Sequence, residues 1–217
     1  MKKIIAIVLS FVFLTFHSVK AEIGVGITGA VHFFDASGTE TTRQSNEKNN
    51  GAHSEEAVVP ELFLEAIAEN GGAFGISYIP TRSLGSKSRT DSNSAGDSGT
   101  YKAEAELDNV VQFYADIPFT EVSGYSVYGK FGVQHATIKS LESLNSGSTY
   151  PDKDVYGFTI GLGTKGDLEY GNNLYYKAEA TDTQFEDYTA QSNSSPANKV
   201  DAELEDIALK FSVGYKF

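Results

Sequence analysis

The chain ends in IALKFSVGYKF, from Ile207 to Phe217, where apolar residues alternate with small or polar ones. Successive side chains of a β-strand point to opposite faces, so this stretch has one apolar face and one polar face. The apolar face comprises Ile207, Leu209, Phe211, Val213, Tyr215 and Phe217, and the opposite face comprises Ala208, Lys210, Ser212, Gly214 and Lys216. The pattern is typical of a strand with lipid on one side and a polar barrel interior on the other.

Seven earlier segments show the same alternation. Together with the last one, they predict strands at residues 23–35, 57–68, 73–82, 101–117, 125–138, 154–164, 174–185 and 202–217. No segment has convincing helical periodicity. In the fourth segment, Leu107 and Phe113 are predicted to face lipid, while Glu106 and Asp108 are predicted to face the interior.

The links between these segments alternate between long polar stretches and short turns. The long links are 36–56, 83–100, 139–153 and 186–201, and the short ones are 69–72, 118–124 and 165–173. This order predicts an all-β, eight-stranded, antiparallel up-and-down transmembrane barrel with both ends in the periplasm and four long extracellular loops. Pro60 and Pro80 are expected to mark the outer end of the ladder between strands two and three, because proline removes a ladder hydrogen bond.

The first residues, MKKIIAIVLSFVFLTFHSVKA, have the features of a secretory signal. Lysines precede an apolar run, and the small residues at Val19 and Ala21 predict cleavage after Ala21. The apolar run is shorter than the roughly 20 residues that a membrane helix needs. We therefore expect a signal peptide at 1–21 and one barrel domain at 22–217. With no cysteine in the chain, a disulfide framework is excluded.

The charge balance of the mature chain is strongly acidic. Removing Lys2, Lys3 and Lys20 from the 17 Lys and Arg residues leaves 14 against 29 Asp and Glu residues, a formal charge of 14 − 29 = −15. A basic patch is the usual electrostatic mark of a nucleic-acid-binding protein. We therefore expect no nucleic-acid partner.

The sequence contains no recognisable metal or cofactor motif. The loop residues Asp91, Asp97, Asp152 and Asp154 do not have the spacing of a dedicated calcium loop. His32 is expected to face the barrel interior, and no histidine has a metal partner at a recognisable spacing. We expect neither a metal nor a cofactor.

The signal peptide, the eight alternating segments and the ending FSVGYKF resemble the small outer-membrane barrel family that includes opacity-type proteins and the membrane domain of outer membrane protein A. The resemblance covers residues 22–217. In that family a terminal aromatic residue, with apolar residues at every second position before it, is the signal read by the barrel-assembly machinery. Here Phe217, Tyr215, Val213 and Phe211 match that signal.

The resemblance implies location and architecture more firmly than activity, because the family shares no single biochemical function. It implies export past periplasmic chaperones to the bacterial outer membrane, where the protein contacts lipids and lipopolysaccharide. We expect a monomer with a structural or surface-binding role, in adhesion or envelope maintenance, whose four loops form the exposed contact surface.

The inward faces of the predicted strands carry ionisable residues. We expect them to form a barrel-interior charge network that comprises Glu61, Glu65, Glu106, Lys130, Lys177, Glu179 and Lys210. An eight-stranded barrel has an interior only just wide enough for side chains, so buried charges must pair with each other or with trapped water. A structural plug of ion pairs follows. The alternative is a narrow porin-like channel for small solutes, in which the same charges rearrange.

Two further alternatives come from other classes of protein. His135 and Thr137 lie together on the predicted lipid face, an arrangement similar to the outward His-x-Ser pair of outer-membrane lipid A deacylases. Thr137 departs from that Ser and no supporting carboxylate is apparent, so a rim histidine is the ordinary explanation and we do not expect an enzyme. A soluble lipocalin-like barrel would reverse the faces and bury the Lys and Glu residues in an apolar cavity.

We predict that Phe217 matters more for assembly than for the stability of the finished barrel. Deleting it removes apolar area at one rim position, a change on the order of 1.5–3 kcal/mol even if the side chain were fully buried. The amount of barrel in the outer membrane of cells should fall. Purified protein refolded into detergent should keep the heat-dependent gel shift of a closed barrel. Equal loss in both settings would mean that Phe217 acts through stability instead.

Overall fold

The computed structural model describes residues 21–41, 46, 48–91, 99–122, 124–141, 149–168, 173–193 and 197–217. The predicted signal peptide lies outside the described residues, except for Ala21. The chain forms the strands β1 (Ala21–Thr41), β2 (Lys48–Ala68), β3 (Ala73–Ile79), β4 (Arg82–Asp91), β5 (Gly99–Val122), β6 (Tyr125–Ser140), β7 (Lys153–Asp167), β8 (Leu174–Phe185), β9 (Tyr188–Gln191) and β10 (Lys199–Lys216). The described part of the chain contains no helix long and apolar enough to cross a membrane.

The strands close into one antiparallel ring. β1 pairs with β2 on one side and with β10 on the other. Around the ring the order is β1, β2, β3, β5, β6, β7, β8 and β10. β4 continues the line of β3 along β5, and β9 continues the line of β8 along β10. The ten strands therefore occupy eight positions around the ring, and each position is called a stave here. The predicted eight-stranded up-and-down barrel is confirmed.

The two ends of the barrel differ in their connections. The end that contains the tight connection between β2 and β3 is called the turn end here, and the opposite end is called the loop end. At that connection Gly71 has a φ of 79°, and the Gly72 N–H donates to Asn70 Oδ1 at 2.9 Å. Glycine adopts positive φ without steric cost, so Asn70-Gly71 makes the turn that its sequence predicts.

At the loop end the strands continue beyond their predicted boundaries. The link predicted at 36–56 is mostly a ladder, since β1 runs to Thr41 and pairs there with Lys48 of β2. β4 likewise occupies residues within the link predicted at 83–100. The prediction of polar loops over these residues was therefore wrong. Their polar composition reflects an outer face that meets water, which a paired strand tolerates.

The outer wall towards the turn end is apolar. The whole predicted apolar face of the last strand is exposed, from 36% for Val213 to 74% for Phe217. The inward neighbours Lys210 and Ser212 are buried. The same alternation holds in β7, where Phe158 is exposed and Thr159 is buried. A closed wall that exposes rows of large apolar side chains matches the lipid-facing band of a transmembrane barrel.

Towards the loop end this pattern inverts. Phe33 lies on the outer face at 40% exposure, the next residue Phe34 is buried at 1%, and Asp35 is exposed. In β2 the same change occurs between Val58, at 77% exposure, and Val59, at 4%. Beyond these points apolar side chains point inward and polar ones outward, as in a barrel surrounded by water. A pair of adjacent apolar residues is the sequence signal of the inversion, because strict alternation keeps them apart.

A β-bulge in β5 reverses the faces predicted for the first part of that strand. The register with β6 shifts between Asp108 and Val111, and Asn109 has a φ of 51°. An extra residue changes the phase of the alternation. Leu107 is therefore fully buried, and Glu106 lies on the opposite face and is only partly buried. The predicted lipid-facing position of Leu107 and the predicted inward position of Glu106 were both wrong.

The ladder between β2 and β3 is short. It runs from Ile67–Ala73 to Leu62–Tyr78 and stops just before Pro60 and Pro80. Beyond that point β2 pairs only with β1, and β4 pairs only with β5. The predicted end of this ladder at the two prolines is confirmed, and its physical reason is the missing N–H of each proline.

The inversion and the bulge together predict that replacing Leu107 or Leu209 by alanine lowers the free energy of unfolding by different amounts. Leu107→Ala should lower the free energy of unfolding by about 2–5 kcal/mol, because it leaves a cavity among buried apolar side chains. Leu209→Ala removes the same atoms at a position that is 54% exposed on the outer wall, so it should cost clearly less. Urea titrations of the refolded barrel in detergent measure both. Equal losses would contradict the inward position of Leu107.

Candidate functional site

A balanced set of charges fills the barrel interior towards the turn end. All of its members are at most 9% exposed. This lower charge layer comprises Glu65, Asp116, Lys130, Lys165, Lys177 and Glu179. Each lies at an inward position of its strand, and together the β2, β5, β6, β7 and β8 strands supply three carboxylates and three ammonium groups. The layer is therefore electrically neutral when all six side chains are ionised.

Two lysines connect the three carboxylates of this layer. Lys177 Nζ lies 2.9 Å from Glu65 Oε2 and 2.9 Å from Asp116 Oδ2. Lys130 Nζ lies 3.0 Å from Asp116 Oδ1 and 2.9 Å from Glu179 Oε1. Each of these carboxylates is thus held by at least one ammonium group, which offsets the cost of removing it from water.

Tyrosines add hydrogen bonds to two carboxylates of the layer, Glu65 and Glu179. The Tyr114 and Tyr175 hydroxyls donate to Glu65 at 2.6 and 2.8 Å, and the Tyr128 hydroxyl donates to Glu179 at 2.7 Å. The rings fit because glycines face them. A Cβ at Gly75 would lie 2.4 Å from the Tyr114 ring, and one at Gly163 would lie 2.5 Å from the Tyr128 ring. The small inward residues of the sequence therefore make room for the large ones.

A second charged group lies further towards the loop end. This upper charge cluster comprises His32, Glu61, Arg82, Asp206 and Lys210, all at most 6% exposed. Lys210 Nζ donates to Glu61 Oε1 at 2.7 Å, and the His32 ring nitrogen Nδ1 lies 2.9 Å from Asp206 Oδ2. Arg82 lies 3.5 Å from the same Asp206 oxygen and 5.0 Å from the centre of the Phe34 ring. With a neutral imidazole, this cluster is also balanced.

Beyond the upper charge cluster, the interior becomes apolar. Buried side chains from all eight staves pack there, and they include Phe34, Val59, Ile79, Leu84, Leu107, Val110, Ile138, Tyr150, Val155, Phe185, Tyr188 and Leu204. Between the charged groups, hydroxyl and amide side chains fill the space. The Gln112 amide donates to Thr159 at 3.0 Å, and Thr28 bonds to Ser212 at 2.7 Å. The described interior is thus packed with side chains along its length.

The structure places most of the predicted network residues in this interior. Glu65, Lys130, Lys177 and Glu179 lie in the lower charge layer, and Glu61 and Lys210 lie in the upper charge cluster. Glu106 is the exception, because the bulge in β5 turns it away. The sequence also suggested Lys210 as a partner of Glu65 and Glu179, but Lys210 binds Glu61 instead.

Three charged residues of the interior, Asp116, Lys165 and Arg82, were not predicted from the sequence. Asp116 shares the phase of Tyr114 in β5, and Lys165 shares the phase of Gly163 in β7, so alternation carried the signal for both. Arg82 had no such signal, because β3 ends at Ile79 and β4 begins only at Arg82. Arg82 is buried because β4 begins there and pairs Arg82 with the buried Leu107 of β5.

The outward histidine has a carboxylate neighbour that the sequence did not reveal. Asp154 Oδ1 lies 4.0 Å from His135 Nε2 and accepts a hydrogen bond from the Thr137 hydroxyl at 2.8 Å. The expectation that no carboxylate accompanies this pair is therefore corrected. The Thr137 hydroxyl is bonded to the carboxylate, whereas a nucleophile would be bonded to the imidazole base. Among the described residues, no three His, Asp or Glu side chains are grouped to hold a metal ion.

The bulge in β5 also creates an ion pair on the outside of the barrel. Asp108, on the same face as Glu106, accepts hydrogen bonds from Lys139 and Thr81. These bonds lower the pKa of the Asp108 carboxyl. The hydrogen bond to Asp108 raises the pKa of Lys139. The pair thus links β5 to β6, and Asp108 also binds Thr81, the residue before β4, where the ladder between β2 and β3 has ended.

The predicted assembly signal lies on the outer face of β10 and extends to the end of the chain. Phe211, Val213, Tyr215 and Phe217 are all exposed on β10 or directly after it. The Phe217 N–H donates to the Ile23 carbonyl at 2.9 Å, and its ring lies 4.9 Å from that of Tyr215. The end of the chain is therefore fixed to β1 at the turn end, with its aromatic side chain outside.

The fold of the barrel is shared with solved structures of known proteins. The outer membrane protease OmpT from Escherichia coli aligns with a TM-score of 0.52 at 8% identity, over 93% of this chain and 99% of that chain. The outer membrane protein AlkL, solved in DMPC lipid bilayers, aligns with a TM-score of 0.51 at 10% identity, over 93% of this chain and 92% of that chain. This chain has the fold of a small outer-membrane β-barrel. No family model matches the sequence, and no curated protein matches it. At these identities the likeness concerns the fold.

The lower charge layer predicts a large cost for losing one lysine. Lys177→Met leaves Glu65 buried without an ion-pair partner and Asp116 with Lys130 alone, and leaving a buried charge unpaired typically costs about 3–5 kcal/mol. Urea unfolding of the refolded barrel measures the loss. Lys177→Met combined with Asp116→Asn should recover part of it.

Lys216→Met is the matched control for this experiment. Lys216 lies 2.8 Å from the exposed Asp167 carboxylate at the turn end. An exposed pair of this kind contributes about 0–1 kcal/mol. Equal stability of Lys177→Met and the unchanged protein would mean that the layer does not hold ionised carboxylates.

Proposed function

We propose that this chain is an integral protein of the bacterial outer membrane, with a structural or surface-binding role in adhesion or envelope maintenance. The filled interior carries this proposal. Apart from Lys165, the charges of the lower charge layer and the upper charge cluster form ion pairs, and the apolar side chains around Leu107 occupy the interior at the loop end. The structural or surface-binding role then belongs to the outer surface of the barrel, and we infer no catalytic role.

The alternative of a narrow channel needs a continuous polar path. Ions and small polar solutes lose their hydration in an apolar constriction, which therefore forms a barrier. Apolar side chains from every stave meet at the loop end. This packing weighs against steady conduction and favours a closed barrel.

The strand extensions at the loop end support a role on the cell surface. Beyond the apolar band, the wall presents polar side chains such as Asp35 and Glu203 outside and apolar ones such as Leu204 inside. This part of the barrel is suited to water, so it would project from the membrane as a folded surface rather than as flexible loops. Glu40 braces it by accepting hydrogen bonds from Tyr150 and Asn198.

Single-channel recording in a planar bilayer tests the closed barrel. The refolded protein should give no steady conductance under an applied voltage. Insertion is verified on the same sample by protection of the barrel from added protease. Steady, reproducible openings of one size would overturn the proposal and favour the channel.

Cysteine labelling on intact cells tests the orientation, because the chain has no cysteine of its own. Asn50→Cys and Ser88→Cys place a thiol at exposed positions towards the loop end, and Glu121→Cys places one at the turn end. A membrane-impermeant maleimide should label the first two in intact cells and the third only after lysis. The reverse result would place the turn end outside the cell.

A further inference from the structure

The barrel wall has an interruption on the side of β10. The β8–β10 ladder stops at the pair Gln184–Glu205, and the β9–β10 ladder begins at the pair Tyr188–Ala202. Between them, Glu203 and Leu204 of β10 have no ladder partner on that side. The Glu186 N–H instead donates to the Tyr156 carbonyl of β7 at 2.8 Å. The chain therefore leaves β10 for a few residues at this point.

A cleft of about 400 Å³ opens at this interruption. Its inner side includes Phe185 and Leu204, which are 8% and 7% exposed and belong to the apolar interior at the loop end. Small-molecule sites in proteins are concave, mostly apolar and of roughly 300–1,000 Å³. The size of the cleft is within this range, and Ala36, Ala52, Phe185 and Leu204 give an apolar part to a lining that is otherwise polar.

Four carboxylates surround the apolar side of the cleft. They belong to Asp35, Asp187, Glu203 and Glu205. No Lys or Arg is among the described residues that line it, and none of the four forms an ion pair with a described residue. Apart from His53, the ionisable residues among the described lining of this cleft are therefore all acidic.

Two of these carboxylates oppose each other directly. Asp35 of β1 and Glu205 of β10 are cross-strand partners and lie on the same outer face. Like charges at such positions destabilise a sheet, because their Cβ atoms are only about 4.5–5.5 Å apart. A cation bound between them would remove that repulsion. The cleft thus has an electrostatic reason to bind a cation as well as an apolar surface to bind its remainder.

The cleft also lies where a ligand can reach it. Glu205 is two residues from Ile207, the last apolar side chain of the outer band on β10. The carboxylates therefore begin where the apolar wall ends, on the water-facing part of the barrel.

We propose that this cleft binds a small organic cation that carries an apolar group, such as an aryl- or alkylammonium compound. The ammonium group lies among the carboxylates of Asp35, Glu203 and Glu205. The apolar group lies against Phe185 and Leu204. This binding goes beyond the proposed surface role, and it does not depend on whether the barrel conducts.

Calorimetric titration of the refolded full barrel in a non-ionic maltoside detergent tests the proposal. The probe is phenethylammonium, and 2-phenylethanol is its uncharged counterpart. Empty micelles correct for partitioning of both compounds. We expect saturable binding of phenethylammonium that is at least tenfold tighter than that of 2-phenylethanol. Absence of saturable binding would overturn the proposal.

Two double variants separate the cleft from the general negative charge of the protein. Glu203→Gln with Glu205→Gln should weaken phenethylammonium binding at least fivefold. Glu69→Gln with Glu121→Gln removes the same charge from exposed positions at the turn end and should leave binding unchanged. An equal loss in both double variants would overturn the proposal, because the probe would then respond only to net charge.

Methylammonium and Mg²⁺ test whether the apolar side of the cleft matters. Methylammonium should bind at least tenfold more weakly than phenethylammonium, since it lacks the group that contacts Phe185 and Leu204. Mg²⁺ should displace phenethylammonium only at higher concentration. Equal binding of methylammonium would overturn the proposal and reduce the cleft to an acidic patch. Displacement by Mg²⁺ at equal concentration would do the same.

Discussion

The pairing of β1 with β10 is the interaction on which the rest of this structure depends. It runs from Gly24–Lys216 to Thr41–Lys199 and converts a sheet into a ring. In lipid, every backbone N–H and C=O must find a partner within the protein, so an open edge would be costly. Closure removes both edges where β2 and β3 are paired, while β2 and β4 are not paired with each other further towards the loop end. It also limits the interior of an eight-stave barrel to a space that side chains fill.

The narrow interior explains why its charges occur as balanced sets. Lys177 and Lys130 bind three carboxylates in the lower charge layer, and Tyr114, Tyr128 and Tyr175 donate further hydrogen bonds to Glu65 and Glu179. Each of these carboxylates is buried, so the ammonium groups beside it offset the cost of removing it from water. Glycines that face the tyrosine rings make this bonding possible, because a Cβ at those positions would overlap the rings. Packing and electrostatics are therefore coupled in this layer.

The polarity of the outward and inward side chains changes along the length of the barrel, as does the medium that surrounds it. Near the turn end the outer wall carries large apolar residues and the interior carries charge. Near the loop end, Asp35 and Glu203 face outward while Phe34 and Leu204 are buried. The backbone ladder between β1 and β10 continues through this change without interruption. The cleft beside β10 arises where the neighbouring β8 and β9 interrupt their ladder, so it combines exposed carboxylates with access to the apolar interior.

The sequence by itself determined the strand number, the closed up-and-down order and the outward face of β10, because alternation in period two and Asn70-Gly71 act locally. It also indicated most of the inward charges, among them Glu65, Lys130 and Lys177. Only the tertiary structure decided the face of Glu106 and Leu107, the burial of Arg82, the position of Asp154 beside His135 and the cleft beside β10. The physical reason is that a bulge or a break shifts the phase of every residue before it, while the local alternation looks the same on both sides. Which carboxylate a lysine binds depends on stagger between strands that are distant in sequence, and the pattern of one strand carries no information about that stagger.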